Sequence, residues 1–61
     1  MTEKTYYIEN CTELEEALEQ IEQNFPCFVD RELIEMNYSR VTINAREEDI
    51  ASIERMLAPL V

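Results

Sequence analysis

The sequence predicts an α+β domain of order strand-helix-strand-strand-helix, and three observations carry that prediction. Apolar residues recur at helical spacing across 12–25 and again across 50–60. A strict two-residue alternation fills 40–46, and a run rich in β-branched and aromatic residues occupies 4–9. The chain of 61 residues holds one small domain, 1–61. A domain of this size buries only about 60% of the surface its unfolded chain exposes, so help from a second copy is expected.

Each element has its own reason. Residues 4–9 read as a strand with Tyr6 and Ile8 on one face and Thr5, Tyr7 and Glu9 on the other. Asn10 and Cys11 form a junction. Leu14, Ala17, Leu18, Ile21 and Phe25 then give one apolar helical stripe among glutamates. Thr12 with Glu15 matches the capping-box pattern at its start, and Asn24 followed by Pro26 marks its end.

The next segment, 27–36, breaks strict alternation because Phe28, Ile34 and Met36 share parity with Asp30 and Glu32. A bulged strand and a helical turn capped by Asp30 are the two solutions for 30–36. The strand is favoured because 40–46 needs a partner. That following strand turns Val41, Ile43 and Ala45 inward and Arg40, Thr42, Asn44 and Arg46 outward, after a turn at 37–39. Glu47, Glu48 and Asp49 open the second helix at the positive end of its dipole. Ile50, Ile53, Leu57 and Leu60 form its buried stripe, and Pro59 stops it.

This order is the ferredoxin-like pattern lacking its final strand. A right-handed crossover makes the first two strands parallel and sets both helices on one face of a three-stranded sheet. By analogy with that fold, the third strand lies in the centre and the first is a free edge. With no glycine in the chain, any left-handed backbone position falls to Asn10, Asn24, Asn37 or Asn44.

Composition excludes most chemistry. Without histidine, the commonest general base and metal ligand are both missing. Without glycine, no phosphate-cradling loop can form. Neither an enzyme, a cofactor nor a metal is expected. The two cysteines, Cys11 and Cys27, flank a helix of about a dozen residues and so stand roughly 18 Å apart, too far for a disulfide. The chain shows no apolar run that could span a membrane and no apolar segment behind its N-terminus, which makes a cytoplasmic location the expectation.

Fourteen acids against five bases leave a formal net charge of −9. That balance disfavours direct contact with nucleic acid or a membrane and suits a basic protein partner. Two surfaces compete for such a role. Tyr7, Arg40, Thr42 and Arg46 share the outward face of the sheet and concentrate what positive charge the chain has. Glu15, Glu19 and Glu22 share one side of the first helix. The expected function is a non-enzymatic protein-interaction module, homodimeric through its free edge, that regulates or inhibits a larger partner. The first alternative is a phage-type or mobile-element inhibitor whose acidic helix face imitates nucleic acid. The second is a ligand-binding or catalytic site formed only at a dimer seam.

Overall fold

The computed structural model describes residues 1–61. Strand β1 (Thr2–Glu9) leads to helix α1 (Thr12–Asn24), strand β2 (Cys27–Glu35), strand β3 (Tyr38–Ala45) and helix α2 (Glu47–Leu57), followed by a 3-10 turn at Ala58–Leu60. The sheet order is β1-β3-β2, with β3 antiparallel to both neighbours. The central place of β3 follows from its residues: Ser39, Val41, Ile43 and Ala45 are all buried, and the even positions alternate with them. Both β1 and β2 are sheet edges. No helix is long and apolar enough to cross a membrane.

One face of the sheet carries the core. Leu14, Leu18 and Ile21 of α1 and Ile50, Ile53 and Leu57 of α2 close over Ile8, Val41, Ile43 and Ala45. Burying each of the leucine, isoleucine and valine side chains contributes about 1.5–3 kcal/mol. The cover fades along β2. Cys27 and Val29 are half-buried on the helix side, but Arg31 and Leu33 in the same row are exposed. The tip of the β2–β3 hairpin, residues 33–38, is exposed throughout, in a molecule of 32 × 17 × 16 Å.

Several local expectations are corrected. Residues 30–35 are strand, as favoured over a helical turn, and only Met36 falls outside it; the alternation mismatch is absorbed by a register shift between Leu33 and Glu35. The turn falls at Met36-Asn37, one residue earlier than expected, and no residue adopts positive φ. None of the four asparagines is left-handed. The capping box does not form either. Cys11 is the N-cap, with no side-chain bond, and the Glu15 carboxylate lies 3.8 Å from Arg31 on β2. The helix begins one residue early, so Thr12 is its first residue and the Glu15 amide donates to the Cys11 carbonyl at 3.4 Å instead of to the Thr12 hydroxyl. The helix ends at Asn24, and extended Phe25 caps it before Pro26.

Asn10 has a different task from the one its sequence position implies. Its side-chain oxygen accepts from Arg31 Nη2 at 2.8 Å and from the Ser39 hydroxyl, while Arg31 Nε donates to Ser39 Oγ at 3.2 Å. Its amide donates to the Asn37 carbonyl at 2.6 Å. This cluster ties together the end of β1, the hairpin and α1, and it satisfies the one buried polar residue, Ser39.

Candidate interaction surface

The uncovered face is a grid set by strand register. Tyr7 of β1 pairs with Arg40 of β3, which pairs with Glu32 of β2. The next rung is Thr5, Thr42 and Asp30, and the third is Glu3, Asn44 and Phe28. Residues paired across antiparallel strands point to the same side, so these nine side chains share one surface. Tyr7 is 59% exposed and Phe28 74%. At the hairpin end, Leu33 and Met36 are 67% and 90% exposed, beside partly exposed Ile34 and Tyr38. These large apolar side chains lie outside the core formed by the helices and the covered sheet face.

Three of the four expected sheet residues, Tyr7, Arg40 and Thr42, come together as neighbours on this grid. Arg46 does not join them. It lies past the end of β3 as the N-cap of α2, where its Nε meets Asp49 at 2.9 Å and Glu48 at 3.5 Å. The acids that open the helix pull the guanidinium toward α2, and Asp49 chiefly raises its pKa.

The sign of the patch is also corrected. Arg40 donates to Glu32 at 2.9 Å, and that bond together with the Glu32 charge raises its pKa. Asp30 stands on the neighbouring rung, and Glu3 accepts from Asn44 at 3.4 Å. Cross-strand register sets Glu3, Asp30 and Glu32 around the one arginine of the grid. The surface is acidic where positive charge was expected.

The glutamate row of α1 is exposed throughout, and it borders the β2 edge. Glu15 reaches Arg31, and Glu22 lies close enough to Cys27 to raise that thiol's pKa, after burial, which is the larger cause. Glu19 accepts from Gln23 at 3.3 Å. A shallow, open depression farther round the helix is lined by Glu13, Glu16, Ala17, Glu19 and Gln20.

What these groups can do chemically is narrow. Burial and then the Glu22 and Asp49 charges favour the neutral form of the Cys27 thiol, which is the unreactive form. Both cysteines are free. The Tyr6 hydroxyl is buried and meets no acceptor in hydrogen-bonding geometry, although the Glu54 carboxylate acts on it electrostatically. No group of three or more His, Cys, Asp or Glu is placed to hold a metal ion. The grid can hydrogen-bond, stack and pair charge.

Sequence reasoning missed Phe28, Asp30 and Glu32 as members of the face, and the exposed Leu33 and Met36 at the hairpin end. Their signal was the broken alternation of 27–36, which places apolar side chains where a fully covered strand would not. Comparison with known proteins returns no matching family model, no matching curated protein and no matching solved structure.

Proposed function

We propose that the chain is a non-enzymatic protein-interaction module, acting as a homodimer, that regulates or inhibits a larger and basic protein partner. The observation that carries this reading is the contrast between the two sheet faces. One is covered by both helices over β1, β3 and the start of β2, while the other leaves Tyr7 and Phe28 exposed among Glu3, Asp30 and Glu32. Tyrosine and phenylalanine in such a setting supply contact area, and the carboxylates steer a partner of opposite charge.

The homodimer reading rests on β1. The order β1-β3-β2 fits a ferredoxin-like unit without its last strand, and β1 is then the edge left bare. Antiparallel pairing of two β1 strands about Thr5 sets Glu3 beside Tyr7, Lys4 beside Tyr6 and Thr2 beside Ile8 of the other copy. No like charges meet in that register. A shift to Lys4 sets lysine against lysine, and a shift to Tyr6 sets Glu3 against Glu9.

The test joins mass to affinity. Light scattering should give twice the 7.2 kDa chain mass, and Thr5→Pro should return it to one. Affinity for a partner isolated from the native host should fall at least about tenfold on Tyr7→Ala or Phe28→Ala and stay level on Arg46→Ala. Unchanged affinity in both face variants would reject the reading. A loss confined to charge reversal at Glu15, Glu19 and Glu22 would instead favour imitation of nucleic acid by α1.

A further inference from the structure

We infer that the β2 edge is a docking site for an extended, basic segment of another protein, which adds to the sheet as a fourth strand. The inference deepens the functional reading above and rests on it. Three independent features of β2 converge. As a sheet edge it offers a row of unpaired backbone donors and acceptors from Cys27 to Leu33, the form that an added strand recognises. Its helix-side row is bare at Leu33, and its outer row is bare at Phe28, so a new strand finds apolar contacts on both faces. Carboxylates flank it on both sides as well. Asp30 and Glu32 stand in the outer row, and Glu15 and Glu22 of α1 border the helix side through Arg31 and Cys27.

Charge selects the occupant. A second copy of this chain is a poor match. Symmetric antiparallel pairing about Asp30 sets aspartate against aspartate, and pairing about Glu32 sets glutamate against glutamate. Pairing about Arg31 opposes the two arginines and brings Asp30 against Glu32. Registers centred on Phe28 or Val29 avoid those contacts but run into Pro26, which has no amide to donate. The register centred on Leu33 crosses the shift at Ile34. A strand alternating lysine or arginine with aliphatic residues meets none of these obstacles. Its cations lie beside Asp30 and Glu32, and its aliphatic side chains cover Val29 and Leu33. Edge β1 is self-complementary in charge and edge β2 is not, so the two edges serve different partners.

The probe is a blocked peptide of about seven alternating valines and lysines, titrated into the isotope-labelled full chain and followed by amide shifts and hydrogen exchange. Expected are shifts and new protection along 27–33 with β1 unchanged, and affinity that weakens about tenfold between ~0.05 and ~0.3 M salt. The charge-removing pair Asp30→Asn with Glu32→Gln should weaken binding at least about tenfold, with folding checked by circular dichroism. A valine–glutamate peptide, and a valine–lysine peptide with a central proline, should not bind. Shifts spread over the α1 glutamates without protection in β2, or no binding at millimolar peptide, would overturn the inference. If the peptide fails while Tyr7→Ala still abolishes the native partner's binding, only the edge site falls and the interaction-module reading stands.

Discussion

Replacing Asn10 with alanine should cost about 2 kcal/mol of stability, far more than its partly exposed position implies. The Ser39 hydroxyl is 1% exposed, and its proton has one acceptor, the Asn10 side-chain oxygen. Leaving a buried donor unmatched costs about 1–3 kcal/mol. Arg31 also loses its bond to Asn10, but that bond is exposed and water replaces it at little cost. The amide bond from Asn10 to Asn37 survives the change. For a domain of this size the urea slope is about 1 kcal/mol per molar, so the midpoint should drop by about 2 M. The melting temperature should fall by about 8–16 °C. Adding Ser39→Ala to Asn10→Ala removes the stranded donor and should recover most of the loss. Asn10→Asp, which keeps an acceptor, should stay near the parent. If Asn10→Ala unfolds within about 0.5 kcal/mol of the parent, or the double variant is no better than the single, the reasoning about this cluster is wrong.

Tyr6→Phe should leave stability unchanged or raise it by about 1 kcal/mol in urea melts, because it deletes a buried hydroxyl that faces the Glu54 carboxylate without meeting it in good hydrogen-bonding geometry; a loss above that size would contradict the geometry. Stability should decline in alkali. The pKa of Cys27 is raised from an ordinary 9.0, chiefly by burial, and that of Tyr6 from 10.0, again chiefly by burial. The unfolded chain thus releases these protons first, and the native state loses ground from about pH 9 upward. Melts at a series of pH values should show that decline, and the variant carrying Cys27→Ser with Tyr6→Phe should show less of it. Ile21→Ala, at a position fully buried in the core, should cost about 2–5 kcal/mol and leave the chain mostly unfolded by circular dichroism.

The parts of the fold legible in the sequence are those whose cause is local periodicity. The alternation about Val41 and Ile43 places β3, and the stripes at Leu14–Leu18–Ile21 and Ile50–Ile53–Leu57 place both helices. Contacts between distant segments were not legible. Thr12 and Glu15 have the spacing of a capping box, yet the helix starts at Thr12 itself, with Cys11 as its N-cap and Arg31 of β2 within 3.8 Å of the Glu15 carboxylate. Arg46 continues the outward parity of β3 on paper, but the strand stops at Ala45 and the acids of α2 claim it. The acidity of the open face follows from register, which sets Glu32 opposite Arg40. No spacing within either strand reveals that pairing. Asn10 shows the same limit, since its value lies in Ser39 and Arg31, far along the chain.

Residue-resolved hydrogen exchange of the native chain, at low and high protein concentration, tests most directly whether the two edges differ as described. Amides of β3 between Ser39 and Ala45 should be the slowest at both concentrations, as befits the central strand. Protection in β1 around Thr5 should grow with concentration, while the outer amides of β2 exchange freely throughout. Strong protection along all of β2 in the isolated chain, or β1 amides indifferent to concentration, would contradict the assignment of one edge to a second copy and the other to a basic partner.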